Sequence, residues 1–343
     1  MEATSKYTTD QLWVEKYRPK TLHQVVIDDE FREKLQYYID HPTEMNHQLY
    51  IGPPGSGKTT IARILVDNII KDSNDLLVLN GSEQKGIQII REHVLDFVKT
   101  SPLFSPIKLI FIDEADNLTP DAWKSLRFIM ENFYKNARFI FTGNYDTFPD
   151  AVKSRTTIRR FVSLDKDYAY QFSKAILDNE RITYNENDLK RVIDLFYPDL
   201  RKIVSSLQEL SIVNRRLDLS NIENVVSNDD KLIHMTIDLI KFLLNNDPTA
   251  NQVILEISNL ISTRYIDYAK VYKSLFRMLS FEAVPYKILI SKHASKLSYV
   301  LEPSMSYFEF ISDLVEKSKS LIGMIDPNSL LVSYGDNNVT TRN

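Results

Sequence analysis

The sequence contains no cysteine, and this absence excludes disulfide bonds and zinc sites built on thiolates. Its six histidines are scattered without the spacing that metal ligands show. No run of 18 apolar residues occurs, and residues 1–6 are polar, so neither a membrane span nor a signal peptide is predicted. We therefore expect a cytoplasmic protein that has no membrane partner.

An excess of basic residues is also missing. Asp and Glu outnumber Lys and Arg by 46 to 42, which gives a formal net charge of −4. A chain of this charge is not attracted to nucleic acid as a whole. Any contact with DNA has to come from a local basic patch, assembled from several subunits.

Glycine is scarce, and its eight occurrences are unevenly placed. None lies between positions 144 and 322, a stretch that instead repeats apolar residues with the 3.6-residue period of helices. The first part of the chain is thus predicted to be an α/β domain with glycine turns. The remainder is predicted to be helical.

Residues 52–60 read GPPGSGKTT and match the phosphate-loop pattern of Gly, four residues, then Gly-Lys-Ser/Thr. A strand-like run precedes them and a helix-like run follows, so backbone N–H groups and a helix N-terminus would surround the phosphates of ATP. Lys58 would add positive charge, and the Thr59 hydroxyl would bind Mg²⁺. The alternative is a glycine-rich turn that arose by chance. We assign to nucleotide binding Gly52, Gly55, Ser56, Gly57, Lys58, Thr59 and Thr60.

Apolar runs alternate with helical patterns along the first part of the chain. The strand-like runs are 49–51, 76–79, 109–112, 139–141 and 161–162. Helical patterns such as 87–98 and 122–133 separate them, which predicts a five-stranded parallel sheet covered by helices on both faces. Ligands of such sheets bind at the carboxyl ends of the strands, so the residues that follow each strand are candidates for the site.

Polar residues do follow the predicted strands. Asp113 would hold Mg²⁺ through the coordination shell of the ion, and Glu114 would orient or deprotonate the attacking water. Asn144 would hydrogen-bond the γ-phosphate or this water. Arg155, just before the fifth strand, would neutralise γ-phosphate charge in its own chain or in a neighbouring subunit. The alternatives are a solvated acidic loop, a turn cap and an exposed arginine.

The letters DEAD at positions 113–116 also occur in a class of helicases. That class needs further basic motifs in a second nucleotide-binding-like domain. The helical second half leaves no place for such motifs.

These features, together with the sequence VEKYRP at positions 14–19, resemble the AAA+ clamp-loader ATPases, including replication factor C small subunits. The resemblance covers roughly residues 12 to 210. Residues 80–85 and the chain length look closest to the clamp-loader ATPase subunit of tailed bacteriophages, which implies the cytoplasm of a bacterial host as the location.

The resemblance implies roles for individual residues. Asn144 would be the first sensor of the γ-phosphate, and Arg201 would be the second, reaching in from a helical lid. Arg155 would act as an arginine finger in the adjacent subunit. The adenine pocket would be lined by Val14, Glu15, Lys16, Tyr17 and Val26.

Members of this family also resemble one another in how they hold DNA. Lys85 and Arg91, around the start of the 87–98 helix, match the basic positions that follow the DNA backbone without reading its sequence. Lys85 would further couple DNA binding to Glu114.

The implied organisation is an AAA+ domain at 1–164, a helical lid at 165–228, a helical collar at 229–335 and a polar tail at 336–343. The implied function is that of an ATPase subunit of a sliding-clamp loader in DNA replication, which uses ATP and Mg²⁺ and is stimulated by DNA and clamp. Its partners would be a companion subunit and copies of itself in a ring or spiral of five, the sliding clamp, and primer-template DNA. The alternatives are a helicase loader, a branch-migration motor, and an ATP-binding scaffold subunit that has lost hydrolysis.

Overall fold

The computed structural model describes residues 12–83, 88, 90–212, 214–280, 282–300 and 302–331. The chain divides into two compact units, Met1–Gln208 and Glu209–Asn343. The domain boundaries at residues 164 and 228 stay predictions.

The first unit contains a five-stranded sheet in which all strands run parallel, in the order β2-β3-β4-β1-β5. This confirms the predicted fold class. Strands β1, β3 and β4 are almost entirely buried, because helices cover both faces of the sheet. The strands are β1 His47–Ile51, β2 Leu76–Asn80, β3 Lys108–Asp113, β4 Ala137–Gly143 and β5 Thr156–Arg160.

The fifth strand lies at Thr156–Arg160 and not at residues 161–162, where the prediction was wrong. β5 is an edge strand whose side chains are half-buried or exposed, so it lacks the apolar run on which the prediction depended. Phe161 follows the strand, and its ring packs edge-on against Phe31 and Tyr50 in the core. The apolar signal therefore came from a core contact and not from a strand.

Alternate residues of the central strands face opposite sides of the sheet and build two separate cores. On one side Tyr50, Leu109 and Ile140 pack with the first long helix after β1. On the other side the helix that follows β3 supplies Trp123 and Leu126. The helices of this unit are α1 Trp13–Lys16, α2 Asp29–Asp40, α3 Lys58–Ile69, α4 Leu95–Lys99, α5 Pro120–Asn132, α6 Asp150–Lys153, α7 Lys166–Asn179, α8 Glu186–Phe196 and α9 Leu200–Ser211, which continues into the second unit.

The helix predicted at 87–98 begins as a π-helical turn, Ile90–Val94, which continues into α4. Helix α5 begins with Pro120 at its first position, and the Thr119 side chain accepts a hydrogen bond from the Ala122 N–H at 3.3 Å. Asn185 caps α8, since its side chain accepts from the Asn187 N–H. Pro198 separates α8 from α9.

The second unit is built from helices around one core. Tyr272, Tyr286, Tyr307 and Phe310 lie buried in this core, whereas the side chain of Tyr299 is 89% exposed. The aromatic residues of this region therefore include both core and surface positions. The helices are α10 Ile222–Val225, α11 Asn228–Leu244, α12 Thr249–Thr263, α13 Tyr268–Met278, α14 Val284–Lys296 and α15 Pro303–Lys319.

Within the described ranges, none of the helices is both long enough and apolar enough to cross a bilayer.

Candidate nucleotide site

The loop between β1 and α3 adopts a conformation that requires glycine. Gly55 and Gly57 have φ angles of +77° and +92°, in the left-handed region that side chains disfavour. A Cβ on Gly55 would also lie 2.8 Å from the Asp199 carboxylate oxygen Oδ1. The loop can therefore turn directly into the N-terminus of α3, which begins at Lys58.

This loop forms one wall of a cavity of about 200 Å³. The other walls come from residues 13–26, which we call the N-terminal arm, from the carboxyl ends of β3 and β4, and from helices α7 and α9. The structure thus brings together residues that are far apart in the chain. The predicted site residues on the cavity wall are Val14, Tyr17, Val26, Gly55, Ser56, Gly57, Lys58, Thr59, Thr60, Asp113, Glu114, Asn144 and Arg201.

Lys58 is buried, and its Nζ donates to the carbonyl oxygen of Pro53 at 2.7 Å. Burial lowers the pKa of Lys58 to about 8, while the nearby carboxylate of Asp113 opposes this shift. The buried hydroxyl of Ser56 has no hydrogen-bond partner among the described residues. An anion with several oxygen acceptors would satisfy both groups, so the loop fits a polyphosphate.

Two residues separated by 54 positions meet beneath the loop. The Thr59 hydroxyl donates to the Asp113 carboxylate at 3.1 Å. The Thr142 hydroxyl donates to the same carboxylate oxygen. Carboxylate and hydroxyl oxygens are ligands that Mg²⁺ uses beside phosphates and water. Thr59 and Asp113 therefore fit a magnesium ion shared with a bound triphosphate, although no cluster of three or more His, Asp or Glu suited to a metal occurs in the described part.

Glu114 follows β3 in a left-handed conformation, with φ of +51°. Its backbone N–H donates to the Asp113 carboxylate and to the Thr142 hydroxyl, both at 3.2 Å. The residue is only half-buried and lines the cavity. Its carboxylate is thus available to a water molecule in the cavity.

Asn144 is held through the backbone of its loop. The N–H groups of Asn144 and Tyr145 donate to the Asp116 carboxylate at 3.0 and 3.1 Å. Asp116 therefore fixes the loop that carries the predicted sensor. In the sequence, Asp116 is only a letter of the DEAD motif, and no local pattern indicates this role.

Positive charge converges on the cavity from three parts of the chain. Arg18 lines the cavity together with Lys58 and Arg201. Burial lowers the pKa of Arg18, the Glu15 carboxylate opposes this change, and the positive charges of Arg63 and Arg201 lower that pKa further. A site of this charge favours a polyanionic ligand.

Other residues on the wall carried no recognisable signal in the sequence. The rings of Tyr168 and Phe172 on α7 stack with their centroids 5.8 Å apart and an interplanar angle of 14°. Two aromatics four positions apart on a helix are more often core residues. Only the tertiary structure places them on the cavity wall, where flat rings suit a nucleotide base.

Some predicted site residues contact other groups. Glu15 pairs with Arg18, and Lys16 pairs with Glu180 at 2.6 Å. Gly52 does not line the cavity; it lies against Phe161, whose carbonyl oxygen would collide with a Cβ at this position. Lys85 and the side chain of Arg91 lie outside the described residues.

Arg155 lies at the end of the sheet where the strands begin, whereas the phosphate loop lies at the end where they finish. It directly precedes β5, whose first residue pairs with His47 at the start of β1. Its guanidinium pairs with the Glu131 carboxylate at 2.5 Å and donates to the Ala151 carbonyl oxygen at 2.7 Å. At a rise of about 3.3 Å per residue, a strand of five residues separates Arg155 from the cavity edge by roughly 16 Å.

A family model described as "ATPase family associated with various cellular activities (AAA)" matches residues 48–164. Several known proteins are similar to this chain over longer stretches. The replication factor C small subunit of Thermofilum pendens is 38% identical over 213 residues, which are 61% of this chain and 65% of that protein. The corresponding protein of Saccharolobus solfataricus is 39% identical over 204 residues, 58% of this chain and 62% of that protein.

The replication factor C small subunit 1 of Pyrobaculum islandicum is 32% identical over 274 residues, 78% of this chain and 82% of that relative. This chain belongs to the family of replication factor C small subunits. The resemblance seen in the sequence motifs is thereby confirmed. The similarity to replication factor C small subunits extends well past the AAA match, although several of these relatives are covered over less than two thirds of their length.

Proposed function

We propose that this chain is an ATPase subunit of a sliding-clamp loader that acts in DNA replication. The observation that carries the nucleotide assignment is the contact between Thr59 and Asp113, 3.1 Å apart beside the buried Lys58. The phosphate-binding loop thus lies directly beside two oxygen atoms that can bind a metal ion. It suits a triphosphate with its magnesium ion better than a simple anion.

Nucleotide binding depends on three features of the cavity. The loop N–H groups and Lys58 hold the β- and γ-phosphates. Val14 and Tyr17 from the arm, together with Tyr168 from α7, offer apolar and aromatic surface to the base. A magnesium ion held by Thr59 and Asp113 would neutralise charge on the phosphate oxygens.

Hydrolysis is a transfer of the γ-phosphoryl group to water. Glu114 orients the water and accepts its proton as the new oxygen–phosphorus bond forms. The bond between the γ-phosphorus and the bridging oxygen breaks, and ADP leaves with the electron pair. Asn144 holds the water or a γ-oxygen through its amide, and Arg201 reaches the same phosphate from α9.

Arg155 completes the site of a neighbouring subunit in this proposal. Its position at the far edge of the sheet supports action in trans, because it is roughly 16 Å from the cavity edge of its own chain. We propose that copies of the chain and a companion subunit form a ring or spiral of five. Each nucleotide then lies at a junction between two subunits.

The assembled loader would bind primer-template DNA through Lys85 and Arg91, which contact phosphates and read no sequence. ATP binding would complete the junctions and hold a sliding clamp open. Hydrolysis would release the clamp around DNA. The tailed-bacteriophage origin and the host cytoplasm as the location stay predictions.

The decisive experiment measures ATP hydrolysis with and without primed DNA and a candidate sliding clamp. The proposal predicts that both together stimulate hydrolysis more than DNA alone, and that native mass spectrometry detects an oligomer. A helicase loader or branch-migration motor would respond to DNA but not to the clamp. A scaffold subunit would bind ATP without hydrolysing it, and a monomer that neither ligand stimulates would contradict the proposal.

A further inference from the structure

The N-terminal arm is fastened to the helix that covers the cavity. One carboxylate oxygen of Glu180, the residue that caps the C-terminus of α7, accepts from Lys16 Nζ at 2.6 Å and from Tyr17 Oη at 2.8 Å. The Glu180 side chain is only 17% exposed. Two donors from the arm therefore meet one well-shielded acceptor more than 160 positions away in the sequence.

A second hydrogen bond joins the same two parts. The backbone N–H of Trp13 donates to the side-chain oxygen Oε1 of Gln208 on α9 at 3.0 Å, and the Trp13 side chain is buried. Trp13, Lys16 and Tyr17 of the arm are thus hydrogen-bonded to the end of α7 and to α9. Both of these helices contribute walls of the cavity.

The next segment of the chain is attached to a different part of the unit. The guanidinium of Arg32 on α2 donates to the carbonyl oxygens of Leu22, Val25 and Ile27, at 3.4, 3.3 and 3.0 Å. Leu22 and Val25 also lie in the core beside α2 and α3. Between the two attachments, Lys20 and Thr21 are exposed. The arm is therefore held at one end by α7 and α9 and at the other end by α2.

Tyr17 connects this anchoring to the nucleotide. Its side chain lines the cavity, while its hydroxyl is held by Glu180. We propose that Glu180 is a positioning residue for the nucleotide base: it binds the arm to α7, so that Val14 and Tyr17 close on the base together with Tyr168 and Phe172. This inference rests on the proposed nucleotide site and adds the residue that assembles its base-binding wall.

The protonation states at neutral pH suit this role. The hydrogen bond to Glu180 raises the pKa of Lys16, and burial followed by the Glu180 hydrogen bond raises the pKa of Tyr17. Both groups therefore keep their protons at neutral pH and donate to the Glu180 carboxylate. Hydrogen bonds to an ionised acceptor are shorter and stronger than those between neutral groups.

The test compares Glu180→Gln, Tyr17→Phe and the double variant in the full chain, with Glu209→Gln as the control. Glu209 is an exposed glutamate on α9. Tyr17→Phe keeps the ring on the cavity wall and removes only the hydroxyl. The measurements are the equilibrium affinities for a non-hydrolysable ATP analogue and for inorganic tripolyphosphate, which has no base.

We expect each single variant to bind the ATP analogue about tenfold more weakly, as for the loss of a hydrogen bond to a charged group. Affinity for tripolyphosphate should stay within about twofold. The double variant should bind no more weakly than the weaker single variant, because both changes remove one interaction. The control should match the wild type.

Three results would overturn the inference. Equal weakening toward both ligands would mean that the changes disturb the whole site rather than the base-binding wall. Wild-type affinity for the analogue in all variants would mean that the Glu180 contacts do not position the arm, while the nucleotide site would stand. Failure of the wild type to bind the analogue would contradict the nucleotide assignment itself and this inference with it.

Discussion

At the scale of single residues, Glu114 is the clearest sign of chemistry. A side chain in the left-handed region costs about 1 kcal/mol or more, and such strain persists only where surrounding contacts enforce it. Here the Glu114 N–H is held by Asp113 and Thr142, and the residue lines the cavity. The conformation is therefore built by residues of the same site.

Glu114→Gln should leave ATP affinity unchanged and lower the hydrolysis rate by about 10²–10⁴-fold, because an amide accepts no proton from water. Equilibrium ATP binding and single-turnover hydrolysis measure the two effects separately. Asp121→Asn, at a carboxylate 65% exposed at the start of α5, is the matched control and should hydrolyse ATP normally. Hydrolysis by Glu114→Gln at the wild-type rate would exclude Glu114 as the base.

Lys58 should make ATP binding dependent on pH. Its pKa is lowered to about 8 by burial, and phosphate oxygens would raise that pKa by favouring the charged form. Binding at pH 8 should therefore take up about half a proton per site, and affinity should fall as the pH rises above that value. Calorimetry in buffers of different ionisation enthalpy measures the uptake.

Lys58→Arg provides the control for that measurement, because a guanidinium stays protonated throughout this pH range. At saturating nucleotide it should take up no proton. Identical binding enthalpies for the wild type in all buffers would show that Lys58 is already charged in the nucleotide-free chain.

At the scale of elements, one buried carboxylate shapes the loop between α4 and β3. Asp75 accepts hydrogen bonds from the backbone N–H groups of Leu103, Phe104 and Ser105, each at 2.8 Å. Asp75 is fully buried, whereas Leu103 and Phe104 are 69% and 64% exposed. The loop is thus fixed from below although its apolar side chains face outward.

Asp75→Asn should lower the free energy of unfolding by about 1–3 kcal/mol, because the amide nitrogen cannot accept from a backbone N–H. Denaturant titration measures the change. Asp96→Asn is the control, at an aspartate whose side chain is 71% exposed, and should change stability by less than about 0.5 kcal/mol. An Asp75→Asn chain as stable as the wild type would contradict this account of the loop.

The same carboxylate should make stability depend on pH. Burial raises the pKa of Asp75, but the three backbone hydrogen bonds outweigh that effect and hold the pKa below its usual value. The stabilisation is therefore complete above the ordinary aspartate pKa near 4 and is lost as the pH falls through the lower folded value. The stability difference between wild type and Asp75→Asn should shrink accordingly in acid.

At the scale of the whole molecule, we expect Arg155 to contribute to ATP hydrolysis but not to ATP binding. Arg155→Ala should bind ATP with wild-type affinity, because this side chain does not line the cavity of its own chain. The hydrolysis rate of the assembly should fall by about 10³–10⁵-fold, as expected for the proposed arginine finger. Affinity and hydrolysis are measured on the same preparation.

A mixing experiment tests whether the arginine acts between subunits. Arg155→Ala chains have an intact cavity, and Lys58→Ala chains have an intact Arg155. Mixtures of the two should hydrolyse ATP faster than either variant alone, because some junctions then combine both intact halves. Mixtures that stay as inactive as the separate variants would argue against action in trans.

Much of this protein could be predicted from its sequence, because some of its signals are local. The phosphate loop needs glycines at fixed spacing, buried parallel strands need apolar runs, and a parallel sheet gathers its carboxyl ends at one edge. These constraints sufficed for the fold class and for placing Lys58, Thr59, Asp113 and Glu114 together, whereas the family came from the resemblance of the motifs to known proteins. The edge strand β5 was misplaced because its polar residues carry no such signal.

The tertiary structure alone decided how distant segments share the site. The cavity wall includes Tyr168, Phe172 and Arg18, and Glu180 binds the arm to the end of α7. These residues are far apart in the chain, and no regular spacing in the sequence indicates that they meet. Arg155 is similar: its sequence position allowed action in cis or in trans, and the register of β5 against β1 placed it at the far edge. Local patterns specify each element, but the distances between elements follow from packing, which no short stretch of sequence contains.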